Sequence, residues 1–224
     1  PFSGQVACFS ADDNDALDAA KGTIIKAVVM EQLPHKDLAT LIDEKGPFTI
    51  AQTVPTAILG NSAVLDIHGK NIAHLDVKPE NVMGGEKLGD FGLARRVDAM
   101  GRAHIDISQG ISFTPGYLAP EGKAGHFGKS SDMWALGVML YELLEGRMTE
   151  DSPMLKVIER LEALPASSTL KKRTKIVDKV FTERTRSQQA FPKMRNIITG
   201  LLDPNPDRRL RASQVQLLMQ PFLN

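Results

Sequence analysis

Apolar positions in this chain recur at helical spacing over most of its length and at strand spacing only near its start. Residues 22–33, Gly-Thr-Ile-Ile-Lys-Ala-Val-Val-Met-Glu-Gln-Leu, are rich in β-branched residues and predict a buried strand running into a polar linker. Pro34 breaks that pattern, and Asp37 is placed to cap a short helix through Asp43. From Ile50 to His68 the apolar residues Val54, Ile58, Leu59, Val64 and Leu65 predict a long buried helix that must accommodate Pro55 and Gly60. Val82 to Leu88 reads as a hairpin turning at Gly84-Gly85, a pair that accepts the positive φ angles of a tight turn. Residues 93–120, rich in Gly, Ser, Asp and Pro, read as an irregular loop. Met133 to Glu145 is too apolar for a surface helix and predicts the centre of a helical body. Further helices are predicted near 152–163, 191–202 and 212–219. Between them the basic stretch Lys171-Lys172-Arg173-Thr174-Lys175 reads as a solvated loop, with a docking or anionic-surface site as its functional alternative.

Composition narrows the partners. The 224 residues suit one domain, or one large lobe with part of another, and 42% hydrophobic residues support a real core. Lys+Arg and Asp+Glu are both 27, so no global field selects nucleic acid or an acidic membrane. No run approaches the roughly 18 apolar residues of a membrane span. The single Cys8 excludes an intramolecular disulfide and a cysteine-rich metal site. It fits a reducing compartment, with a cytoplasmic location as the default expectation. The start at Pro1-Phe2-Ser3-Gly4 shows no signal-peptide pattern and reads as an excised or processed chain. The five histidines show no metal-ligand spacing.

The chemistry concentrates in two short strings. His74-Leu75-Asp76-Val77-Lys78-Pro79-Glu80-Asn81 sets an aspartate, a lysine and an asparagine in one loop, and Asp90-Phe91-Gly92 adds a second acidic turn. Phosphoryl transfer uses that inventory: a carboxylate to orient a hydroxyl, a cation near the transferred group, and oxygen ligands for Mg²⁺.

These strings, in order with Thr114-Pro115-Gly116-Tyr117-Leu118-Ala119-Pro120-Glu121, Ser131-Asp132-Met133-Trp134-Ala135-Leu136-Gly137 and Asn205-Pro206-Asp207-Arg208-Arg209, resemble the eukaryotic-type serine/threonine protein kinase family. The resemblance runs from about residue 22 to the C-terminus. It implies an α+β, protein-kinase-like two-lobe fold, mainly the α-helical C-lobe with a reduced or incomplete β-rich N-lobe. Residues 1–30 would be the N-lobe remnant, 31–37 the hinge and 38–224 the C-lobe, with a catalytic loop at 74–81 and an activation segment at 90–121. It implies a serine/threonine kinase that transfers the γ-phosphoryl group of ATP to a protein hydroxyl with Mg²⁺. In that implied site Asp76 orients the hydroxyl, Lys78 neutralises the γ-phosphate, and Thr114 braces both. Asn81 and Asp90 bind the metal. Met30 is the gatekeeper, Glu31 and Leu33 bond the adenine edge through their backbones, Asp37 faces the ribose and Met83 floors the base. His74, Glu121, Asp132 and Arg209 are structural, with Glu121–Arg209 a buried ion pair and Asp132 the holder of the catalytic-loop backbone.

The chain departs from the family pattern twice. Upstream of the strand it has no G-x-G-x-x-G loop and no strand lysine of the V-A-I-K kind, leaving Lys21 and Lys26 as substitutes for the phosphate clamp. That gap admits a kinase class lacking the glycine loop, as among rhoptry-type secreted kinases of intracellular parasites, and with it an alternative location as a secreted effector. It also admits two other functions: a pseudokinase scaffold that binds partner proteins through its C-lobe, and a small-molecule phosphotransferase. The second departure is Leu75 where the family usually carries an arginine that grips a phosphate on the activation segment. The chain is therefore expected not to need that phosphorylation, although Ser108 and Ser112 remain modifiable with Arg102 nearby in sequence. Asp37 and Glu80 are candidates for favouring basic residues in a substrate.

Overall fold

A computed structural model describes Leu33 and residues 35–84, 87–105, 114, 116–165 and 167–222. The chain divides into two compact units, Pro1–His35 and Lys36–Asn224. The predicted strand at 22–33, apart from Leu33, lies outside the described residues, as do Cys8, Lys21, Lys26, Ser108 and Ser112.

In the second unit, helix α1 (Leu38–Lys45) starts where predicted. Asp37 caps it by accepting the Thr40 N–H and hydroxyl, both at 2.8 Å. Helix α2 (Ile50–Gly69) opens with a reciprocal Thr49–Gln52 capping box and continues through Pro55. Its first N–H is also taken up, by the Gln188 side chain at 2.7 Å. Helix α3 (Lys129–Glu145) is buried at every position from Ser131 to Leu144. It packs against α2 on one side and against α7 (Phe191–Leu201) on another.

Around these lie α4 (Pro153–Glu162), α5 (Leu170–Val177), the single-turn α6 (Glu183–Arg186) and α8 (Ala212–Met219). Helix α4 buries Met154, Val157, Ile158 and Leu161, the i, i+3, i+4, i+7 stripe of a helix lying on a core. Asn61 of α2, wholly buried, donates to the Ala212 carbonyl at 3.0 Å and ties α8 to the body.

Among the described residues of this unit the strands form short antiparallel pairs. β1 (Ile72–Ala73) pairs with β4 (Arg95–Arg96), β2 (Val82–Met83) with β3 (Lys87–Leu88), and β5 (Arg102–His104) with β6 (His126–Gly128). The β2–β3 pair is the predicted hairpin, and Gly84 in its turn has φ +60°. Residues 93–120, read as irregular, instead contribute β4 and β5; two- and three-residue strands carry too little alternation to show in a pattern.

The basic stretch 171–175 is also corrected, because it forms most of α5 rather than a loop. Thr169 accepts the Lys172 N–H at 3.3 Å as the cap, and Arg173 turns inward to pair with buried Asp203 at 2.9 Å. Lys171, Lys172 and Lys175 stay exposed, so the five-residue run is split between core and solvent.

Gly137 shows how closely α3 and α7 approach. A Cβ there would sit 2.9 Å from the Cβ of Leu201 and 3.1 Å from a methyl of Leu202. Alanine in place of a helix-interior glycine ordinarily gains about 1 kcal/mol, but overpacking a core costs about 1–3 kcal/mol. Because the Leu201 Cβ cannot move without its backbone, crowding wins. Gly137→Ala is expected to lower Tm in a thermal melt by several degrees, at roughly 2–4 °C per kcal/mol for a chain of this size. A rise in Tm would show that the helices part freely.

Candidate active site

One buried carboxylate sets the backbone that carries the candidate site. Asp132, near the start of α3, accepts the His74 N–H on Oδ2 at 2.8 Å and the Leu75 N–H on Oδ1 at 2.7 Å. The Nε2 of His68, in the last turn of α2, reaches the same Oδ2 at 2.8 Å. Leu75 has φ +66°, a left-handed conformation that costs a non-glycine residue about 1–2 kcal/mol. A charge-assisted hydrogen bond from its own N–H, worth about 1.5–3 kcal/mol, is enough to hold it there.

His74 is fully buried and links two parts of the loop. Its Nε2 lies 2.8 Å from the Gly89 carbonyl, which can only accept, so the ring donates from Nε2. Nδ1 then accepts the Asp76 N–H at 3.3 Å. The ring meets Phe91 edge-on, with centroids 4.8 Å apart.

Past Asp76, Pro79 opens a single 3-10 turn, Pro79–Asn81, that brings Asn81 back to Asp76. Asn81 Nδ2 donates to both the Asp76 carbonyl and its Oδ2, each at 2.8 Å. Lys78 Nζ lies 2.9 Å from the same Oδ2. Asp76, Lys78 and Asn81 are thus brought into one contact group. Asp90 follows Gly89, whose N–H bonds the Asn81 carbonyl at 2.8 Å and whose own carbonyl His74 holds. Its carboxylate is exposed, and it takes φ +55° with the Gly92 N–H on Oδ1 at 3.2 Å.

Thr114 is exposed, accepts the Tyr117 N–H on its carbonyl at 3.0 Å, and lines a cavity of about 20 Å³ with Asp76 and Tyr117. Glu121 and Arg209 form a two-pronged pair at 2.7 and 2.9 Å. Arg209 also donates to the Ser130 and Asp203 carbonyls, and its guanidinium sits 5.2 Å from the Trp134 ring.

Of the residues assigned to nucleotide binding, Met30 and Glu31 lie outside the described residues, and Leu33 is half-buried. Asp37 and Met83 are neighbours through an isolated antiparallel bridge. Burial alone would raise the Asp37 carboxyl, but its bonds from Thr40 outweigh that and hold it below its ordinary value, so the cap stays ionised.

Sequence reasoning missed three participants. His68 falls on the buried stripe Ala57, Asn61, Val64, His68 of α2, and a histidine in an apolar stripe was the available signal. Glu142, on α3, accepts the Met148 N–H at 2.7 Å, and Arg147 pairs with Glu80. Neither belongs to a recognisable spacing. Among the described residues no cluster of His, Cys, Asp and Glu is built to hold a metal by itself, and no helix is long and apolar enough to cross a membrane.

A model of the protein kinase domain matches residues 18–223. The chain is 34% identical over 151 residues to a probable serine/threonine-protein kinase of Corynebacterium efficiens, covering 64% of this chain and 23% of that protein. It is 31% identical over 197 residues to a probable myosin light chain kinase of Dictyostelium discoideum, covering 84% and 36%. A serine/threonine-protein kinase of Mycobacterium tuberculosis, PknL, is 37% identical over 153 residues, covering 64% and 37%. The chain therefore spans well under half the length of these relatives. With the Asp76 loop, Asp90 and the Glu121–Arg209 pair all inside the matched span, the chain belongs to the protein kinase domain family.

Proposed function

We propose that this protein is an Mg-ATP-dependent serine/threonine protein kinase whose chemistry is carried by Asp76, Lys78, Asn81 and Asp90. The observation that carries the reading is the contact group in which one Asp76 oxygen meets both Lys78 and Asn81. A serine or threonine hydroxyl brought to Asp76 gives its proton to the carboxylate as its oxygen bonds to the γ-phosphorus, and the bond to the bridging oxygen of ADP breaks. Lys78, beside Asp76, supplies a positive charge for the phosphoryl oxygens.

The donor set fits Mg²⁺. Asn81 has committed its Nδ2 to Asp76, so the group it has for a cation is its amide oxygen, and Asp90 adds an exposed carboxylate. When bound, the ion neutralises charge on the phosphates. The bridged pair Asp37 and Met83 is the second unit's contribution to the nucleoside, with Asp37 keeping lone pairs for a ribose hydroxyl beside its capping bonds.

Independence from activation-segment phosphorylation rests on what surrounds Leu75. It is buried in a small apolar cluster with Ala73, Ile105 and Phe127, with Leu93, Val97 and Leu118 packed against it. The catalytic loop is coupled to the segment after Asp90 by apolar contact, where an arginine would have needed a phosphate.

A phosphate-transfer assay with Mg-ATP and a generic protein substrate tests the reading on the full-length protein. Asp76→Asn is expected to lower kcat by about 10²–10⁴-fold, and Asp90→Ala to remove Mg²⁺-supported transfer. Transfer that survives either change refutes the assigned role. Nucleotide binding without any transfer by the wild type would favour a scaffold instead. In the same assay, alanine at both Ser108 and Ser112 is expected to leave the rate within about twofold, since RT ln 2 is a small fraction of one charge-assisted hydrogen bond; a large loss would show that the segment needs a phosphate.

A further inference from the structure

Helix α5 runs against two rules of helix electrostatics. Four of its eight residues, Lys171, Lys172, Arg173 and Lys175, are basic, and its first turn holds no acid. Cations in a first turn oppose the helix dipole, and Lys171 and Lys175, one turn apart on the same face, repel each other. Arg173 is neutralised by Asp203. Among the described residues none of the three lysines has a carboxylate partner. A chain that departs from local rules in this way does so most often where it binds something.

Two of those lysines border a recess. Between α5 and α7 lies a groove of about 380 Å³, lined by Leu170, Lys171 and Lys175 from one helix and by Arg195 and Asn196 from the other. Asp178, just past the end of α5, also lines it, but Nη1 of Arg195 lies 3.1 Å from its Oδ1. The Arg195 guanidinium is held further by the Phe191 ring, 5.5 Å away. Arg195 and Asp178 cancel, so the uncompensated charge of the groove is that of Lys171 and Lys175. Asn196 is exposed, with an amide able both to donate and to accept. Leu170, 48% exposed, adds one apolar contact on the α5 side.

We propose that this groove binds an acidic segment of a partner protein, extended and carrying carboxylates on alternate residues. Spacing decides the pattern. Residues four apart in a helix are separated by about 6 Å along its axis. Alternate residues of an extended strand are about 6.7 Å apart and point the same way. A Glu-x-Glu or Asp-x-Asp run therefore sets both carboxylates against Lys171 and Lys175 at once, whereas adjacent acids point to opposite sides. Asn196 is then available to the segment's backbone, and Leu170 to an apolar residue beside the acids. An anionic membrane fits less well, because membrane-binding clusters gather about 4–8 basic residues with an apolar face, and this groove offers two free lysines and one leucine. A net charge of zero gives the chain no general pull on polyanions, so affinity has to come from the groove itself. None of these residues belongs to the Asp76 contact group, so binding here needs no phosphoryl transfer.

The test is fluorescence anisotropy on the full-length protein without nucleotide, using a labelled peptide that carries leucine and Glu-x-Glu in an alanine-glycine background. Wild type is expected to bind it more tightly than a peptide of the same composition whose two glutamates are adjacent. Lys171→Ala/Lys175→Ala is expected to weaken binding of the first peptide by about two- to thirtyfold, the range for two exposed ion pairs. Lys156→Ala, at an exposed lysine of α4 outside the groove, is expected to leave it unchanged. The reversed variant Lys171→Glu/Lys175→Glu is expected to prefer a Lys-x-Lys peptide, a gain that misfolding cannot produce. No binding by wild type, equal binding of the two glutamate peptides, or an equal loss in Lys156→Ala overturns the proposal. So does a preference of the wild type for phosphatidylcholine–phosphatidylserine vesicles or single-stranded DNA that Lys171→Ala/Lys175→Ala abolishes, since the lysines would then serve a membrane or a nucleic acid.

Discussion

The burial of α3 on every side is the constraint from which the rest of the site hangs. A helix that cannot shift or roll gives fixed reference points at both ends. Near its start, Asp132 gathers the backbone of the candidate catalytic loop and the ring of His68. One turn in, the Trp134 indole donates to the Gly116 carbonyl at 3.0 Å and lies beside Arg209, which grips Glu121. Near its end, Glu142 takes the Met148 N–H and faces Arg147. A buried carboxylate is costly unless donors surround it, so Asp132 and Glu142 demand the partners that position the surrounding loops. Asp132 has its full complement; Glu142 does not.

The two ways of holding the loop differ in kind. Polar bonds to Asp132 set the direction of the backbone at His74 and Leu75, which a hydrophobic contact could not do. Apolar packing of Leu75 with Ile105 and Phe127 then joins the loop to the later segment without any charge. The residues assigned to chemistry are comparatively open: Asp76 and Lys78 side chains are about a fifth exposed and Asp90 more so. Rigidity comes from below, and reactivity is left at the surface.

Much of this was legible along the chain. The apolar spacing of Ile50–His68 and the near-continuous apolar run of Met133–Glu145 located α2 and α3, because helix burial writes itself into residue order. The short polar strings located the Asp76 loop and the Glu121–Arg209 pair, because their residues are chemically specific. What escaped was decided by tertiary partners. Lys171 to Lys175 looked like a solvated run until Thr169 capped a helix and Asp203 drew Arg173 inward. The strands at Arg95–Arg96 and Arg102–His104 exist only because Ile72–Ala73 and His126–Gly128 lie beside them. Arg147 sits in an unpatterned stretch after a helix, and nothing in its neighbours announces that it meets Glu80, 67 residues earlier.

The Glu121–Arg209 pair joins residues 88 apart, and Asn61 reaches Ala212 across 151. Contacts of such separation close late and slowly in folding. During synthesis Glu121 therefore lacks its ion-pair partner until Arg209 has left the ribosome, long after the loop at Asp76 has been made. A nascent chain carrying the Asp76 loop is still without the clasp that fixes the segment ending at Glu121, and it acquires that clasp only once residue 209 is free to fold back.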